Sequence, residues 1–130
     1  MSERIESFRD LKVYKLTFEL QQELFELTKN FPKEETYSLT DQIRRASRSV
    51  GANISESFMK RRYPAHFVSK LSDADGEQAE TLHWLDTSLA CGYISEHDHK
   101  RLFEKYREVG RMLGKMMNEP EKWCARFTKK

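Results

Sequence analysis

A chain of 130 residues, 38% hydrophobic and 34% charged, is the size of one domain that buries a continuous core without disulfide or metal staples, so one domain and not a multidomain enzyme is expected. No window approaches the roughly 18 consecutive apolar residues of a membrane span, and Met1-Ser2-Glu3-Arg4-Ile5-Glu6 has neither the basic start nor the apolar run of a signal peptide, so no membrane contact and a cytoplasmic location are expected. The net charge of +2 hides a segregation, since residues 38–62 carry six basic and two acidic side chains while residues 63–94 carry one and five.

Five Gly and three Pro, with charge spread along the chain, predict long helices rather than a turn-rich β protein. The first helix is expected from about Phe8 or Asp10 to Asn30, stopped by Phe31-Pro32. Ser38 with Asp41 resembles a capping box that opens a second helix running to about Arg61. Pro64 at a first-turn position opens a third, and Gly92 sits where a left-handed cap would end it. Ser95 with Asp98 starts a fourth, which ends before Pro120. Matched helices on short connections predict an all-α, up-down antiparallel four-helix bundle over residues 1–119, followed by a loose basic tail over residues 120–130.

Helical spacing assigns one core stripe to each of three helices: Leu39, Ile43, Ala46, Val50, Ile54 and Phe58; Phe67, Leu71, Gln78, Leu82, Leu85 and Leu89; and Leu102, Tyr106, Val109, Leu113 and Met116. The first helix offers two, because Val13, Leu16, Leu20, Leu24 and Leu27 form one stripe and Leu11, Tyr14, Phe18 and Phe25 form another about 150° around the axis. One core buries only one of these. The second stripe, with Glu80 and Trp84 turned away from the leucines of the third helix, predicts a homo-oligomer interface.

Catalytic chemistry finds little support. The spacings Glu80/His83 and Glu96/His99 resemble the Glu-x-x-His pairs of di-iron bundles, but Glu80 lies about 160° from its helix's core direction and the two pairs would sit roughly 10 Å apart along the axis. No metal site is expected. Cys91 and Cys124 stand alone, without a CxxC or a Cys/His cluster, so free thiols are expected. No Ser or Cys occupies an activating context, and no glycine-rich loop would cradle phosphates, so neither an enzyme nor a cofactor is expected.

The polar pattern of the second helix is richer. Arg45, Ser49, Asn53 and Glu56 fall on one stripe bordering its apolar face, where partly buried polar groups need partners, so a structural hydrogen-bond network is expected. Arg44 and Arg48 fall on the other flank, near the small residues Gly51, Ala52 and Ser55. Lys60, Arg61 and Arg62 end the helix, where cations meet the negative end of its dipole. Together with the tail from Arg126 to Lys130, these cations are the expected nucleic-acid contacts, made to phosphates with little base reading. The competing class is a protein-binding adaptor whose acidic third helix or surplus apolar face receives a partner, and +2 per chain is weak for a nucleic-acid binder unless assembly concentrates it.

Phe8-x-x-Leu11-x-Val13-Tyr14, Phe31-Pro32-x-x-Glu35-x-Tyr37-x-Leu39-x-x-Gln42-x-Arg44-Arg45-Ala46, Ser49-x-x-x-Asn53-Ile54-x-Glu56, Ala74-x-Gly76-x-x-x-Glu80 and Gly92-Tyr93-Ile94, in that order, resemble the four-helix-bundle proteins encoded in intervening sequences of bacterial 23S ribosomal RNA genes. The resemblance covers about residues 8–117. The sequence departs from the family at Ser55-Glu56-Ser57, where Ala-Glu-Gly is usual after Asn-Ile, and at Gly51, where Pro is common. That family is similar in fold to the accessory variability protein of diversity-generating retroelements, a basic five-bundle barrel that binds nucleic acid and a reverse transcriptase. The resemblance thus implies a four-helix bundle, a homopentamer and no catalytic residues, with RNA, DNA or a protein such as a reverse transcriptase as partner.

Overall fold

In a computed structural model describing residues 5–128, with side chains described through residue 124, four long helices pack around one core. They are α1 (Lys12–Thr28), α2 (Leu39–Met59), α3 (Pro64–Ala90) and α4 (Glu96–Asn118), followed by a short α5 (Glu121–Thr128). The described residues contain no strand. Each long helix packs on the next in sequence, most extensively α2 on α3, and α1 meets α4 more sparsely to close the circuit.

The helix ends show which local signals prevailed. Ser95 Oγ accepts the Asp98 N–H at 3.0 Å, and Pro64 occupies the first turn of α3 where its missing N–H costs nothing. Gly92, at φ 78°, closes α3 as a Schellman motif, with Tyr93 N–H donating to Ser88 O and Gly92 N–H to Leu89 O, both at 2.9 Å. The box expected from Ser38 and Asp41 does not form, because Ser38 makes no side-chain cap bond. Its hydroxyl donates instead to Glu35 Oε1 at 2.7 Å, and the same carboxylate oxygen accepts Leu39 N–H at 3.3 Å.

Two further differences follow from local backbone. Residues Phe8–Asp10 form a 3-10 turn closed by a Ser7/Asp10 capping box, so α1 has 17 residues against the 27 of α3. Leu11 between them is extended (φ −70°, ψ 129°), which takes it out of helical phase. Its side chain is 2% exposed and belongs to the core, not to an outward stripe. In place of a loose tail, Pro120 begins a new turn, with Cys124 N–H donating to Pro120 O at 2.9 Å. Cys124 is buried and Trp123 packs half-buried against the core. The tail cations from Arg126 to Lys130 lie outside the described side chains.

The stripes of α2 and α4 are buried at every position from Leu39 to Phe58 and from Leu102 to Met116. In α3, Ala74, Thr81 and Ser88 are buried beside Phe67, Leu71, Gln78 and Leu85, while Leu82 and Leu89 are partly buried. Those small residues let α2 and α4 approach α3 from two sides.

Candidate nucleic-acid interface

The two flanks of α2 differ in chemistry, and the divergence begins with adjacent arginines. Successive helical residues point about 100° apart, so Arg44 and Arg45 face different neighbours. Arg44 reaches α1, where its Nε donates to Thr28 Oγ1 at 2.8 Å and its Nη2 to Phe25 O at 3.4 Å. It therefore satisfies the C-terminal end of α1, where carbonyls lack helical partners and a cation is favoured. Its guanidinium also lies 4.7 Å from the centre of the Phe25 ring.

Arg45 turns to α3. It donates to Glu80 in a close ion pair, and Glu77 lies 3.8 Å away. Glu80 also accepts Trp84 Nε1–H at 3.1 Å, so Glu80 and Trp84, expected at an oligomer interface, are tied into the contact between α2 and α3. Farther along this flank, Glu56 pairs with Lys70 of α3 at 2.9 Å. That hydrogen bond holds the Glu56 carboxyl below its ordinary value and the Lys70 ammonium above its own. Asn53 Nδ2 donates to Ser49 O of its own helix at 2.9 Å, and Ser49 is half-buried. Of the polar stripe, Arg45 and Glu56 form the cross-helix bonds.

Arg48 differs from both neighbouring arginines. It is exposed and makes no hydrogen bond or ion pair among the described residues; its guanidinium sits 5.6 Å from the Phe25 ring centre. A guanidinium laid on an aromatic ring is oriented by the ring while its N–H edge stays open. Phe25, with Arg44, Arg48 and Lys29 (4.8 Å) over it, is therefore a cation platform and not a bare interface residue. The surplus apolar surface of α1 reduces chiefly to Phe18, since Tyr14 is half-buried against the core. Their rings stack at 6.2 Å, and Phe18 is 46% exposed.

Arg44, Arg45 and Arg48 line one shallow depression of ≈ 610 Å³ together with Tyr37 and Asp41. Lys60, Arg61 and Arg62 lie at the other end of α2, about 26 Å along the axis from Arg44 to Arg61. The expected basic set is thus two groups and not one continuous patch. Within the distal group, Arg61 Nε donates to Phe58 O at 2.8 Å and its guanidinium covers the Phe58 ring, while Lys60 and Arg62 are exposed. Tyr37, which the sequence offers only as part of the family resemblance and without a role, is at 94% exposure the most exposed large hydrophobic side chain described.

Among the described residues, no three His, Cys, Asp or Glu side chains gather as a metal site. No described helix is long and apolar enough to cross a membrane. The arrangement defines a helical bundle whose principal polar features are a half-exposed ionic seam between α2 and α3 and an arginine-lined depression on the outer face of α2, which Arg45 borders on its seam side. The model of the 23S rRNA-intervening sequence protein family matches residues 9–115, and the chain belongs to that family. No curated relative matches it. Among solved structures, it is similar to a protein of unknown function from the S23 ribosomal protein family of Bacteroides thetaiotaomicron, at 25% identity and a TM-score of 0.73, covering 82% of this chain and 95% of the other.

Proposed function

We propose that this protein is a non-enzymatic, up-down antiparallel four-helix bundle that assembles into a homo-oligomer and binds nucleic-acid phosphates through the exposed flank of α2. The observation that carries the reading is Arg48, a cation oriented by Phe25 with no ionic partner among the described residues. A solvent-facing, pre-oriented guanidinium suits bidentate phosphate contact. A family named for intervening sequences of 23S rRNA supports an RNA setting. Phe18, exposed on α1 beside the half-buried Tyr14, supports self-association, with a pentamer as the expected order. Assembly would repeat Arg48, Lys60 and Arg62 around the oligomer and offset the modest +2 per chain.

Light scattering should return several times the mass of one chain. Fluorescence anisotropy of labelled RNA and duplex DNA should show binding at low salt that weakens steeply toward physiological salt, as counterion release requires. Binding indifferent to salt would exclude a phosphate-dominated mechanism. No binding at low salt would favour the adaptor reading, in which the exposed Phe18 face receives a protein partner.

A further inference from the structure

We propose that Tyr37 stacks an unpaired base, and that the depression it shares with the α2 arginines is a site for single-stranded RNA. The inference rests on the nucleic-acid reading above and specifies its substrate. Four observations lead to it.

Tyr37 projects from a rigid turn. Two residues before it, Glu35 accepts hydrogen bonds from Ser38 Oγ at 2.7 Å and, through its other carboxylate oxygen, from Tyr93 OH at 2.8 Å. Two residues after it, Leu39 is 5% exposed and locked into the core. The chain is therefore fixed on both sides of a ring that is itself 94% exposed. Both faces of the ring are thus open to stack on an incoming planar group.

The surroundings of the ring select that partner. Arg44, Arg45 and Arg48 line the same depression, and of these Arg48 has an open N–H edge. An aromatic face beside a cation matches a base with its phosphate, and base stacking on exposed rings is how single strands are held without sequence reading. A duplex keeps its bases stacked on one another and offers no free face to Tyr37. From Leu39, the first residue of α2, to Arg48 the helix rises about 14 Å, which spans a short length of strand and not one nucleotide.

Asp41 is the one carboxylate lining the depression. It repels phosphate but accepts a hydroxyl proton, and the ribose 2′-OH is the group that distinguishes RNA from DNA as a donor. Three arginines against one carboxylate in the lining favour an anionic strand over an apolar peptide as occupant.

The test uses the full chain and three labelled probes: oligouridylate, oligothymidylate of equal length and an RNA duplex. Anisotropy should rank oligouridylate first. Tyr37→Ala should weaken its binding roughly tenfold, Tyr37→Phe should restore it, and Asp41→Asn should narrow the preference for RNA over DNA. Light scattering and thermal unfolding of Tyr37→Ala should match the native chain. If Tyr37→Ala binds as the native chain does, the stacking role is overturned while phosphate binding stands. If Tyr37→Ala changes the oligomer mass, the ring is a subunit contact and the proposal fails. Equal binding of oligothymidylate overturns the ribose role of Asp41, and tighter binding of the duplex overturns the single-strand assignment. A native chain that binds none of the probes defeats the underlying function itself.

Discussion

The flank of α2 that faces α3 and the flank that carries Arg48 and adjoins Tyr37 are built from similar side chains and reach opposite outcomes. On the first, Arg45 meets Glu80 and Glu56 meets Lys70, so charge is neutralised between helices. On the second, Arg44 is spent on the end of α1, whereas Arg48 is oriented and left unpaired. Counting six basic residues in one segment therefore overstates the charge available to a ligand. The available charge is set by which arginine points at a carboxylate, and one helical step of about 100° decides that.

The comparison can be broken most strongly at Arg44. If its role is to satisfy the end of α1, Arg44→Ala leaves Thr28 Oγ1 and Phe25 O without that donor and should lower stability by ~1–2 kcal/mol. Urea unfolding monitored by circular dichroism would show it as a lower midpoint at constant slope. A midpoint unchanged from the native protein would place Arg44 with Arg48 as a free cation.

Gly51 sharpens the comparison from the other side, where α2 meets α1. A Cβ there would stand 3.6 Å from Thr17 Oγ1 and 3.8 Å from Tyr14 Cε1, ordinary contacts that need no rearrangement. Gly51→Ala should therefore raise stability by ~0.5–1 kcal/mol through helix propensity and a less flexible unfolded chain. A destabilised variant would mean that α1 and α2 pack more tightly than these distances allow.

The smallest effect concerns the turn that presents Tyr37. Hydrogen bonds from Ser38 and then Tyr93 hold the Glu35 carboxyl below its ordinary value, and the Tyr93 phenol is pushed up to about 12, chiefly by its bond to Glu35. A carboxyl lowered by folding contributes stability above its unfolded value, and that stability is lost as pH falls through the folded value. A phenol raised by folding contributes below its unfolded value, and its share is lost as pH rises toward 12. Tyr93→Phe should therefore melt below the native protein at neutral pH, and the two should converge in acid once Glu35 is protonated. Equal melting temperatures at neutral pH would show that the turn is held by its backbone alone.

Signals confined to a few residues were legible in the sequence. Pro64, Gly92 and Ser95 act on their own helix ends, and the apolar stripes of α2 and α4 are set by helical period. Signals with a distant competitor were not. Ser38 reads as a cap for Asp41 until Glu35, anchored by Tyr93 58 positions away, takes its hydroxyl. Leu11 reads as outward only if the helix already runs through it, and the 3-10 turn before α1 breaks that phase. The separate fates of Arg44, Arg45 and Arg48 depend on which helices flank α2 and at what rotation, and a single helix does not encode its neighbours' angles. Tyr37 carried no periodic signal because it lies in a turn, where exposure is fixed by the anchors around it.

The central claim is that Arg48 supplies binding and not stability. Anisotropy of labelled single-stranded RNA across a salt series, with thermal unfolding in parallel, compares the native chain with Arg48→Glu most directly. Binding should be lost at physiological salt and strongly weakened at low salt, with a shallower salt dependence, while stability stays within about 0.5 kcal/mol of the native protein. An Arg48→Glu chain that binds with native affinity and native salt slope, or one that loses binding only because it unfolds, would contradict the account.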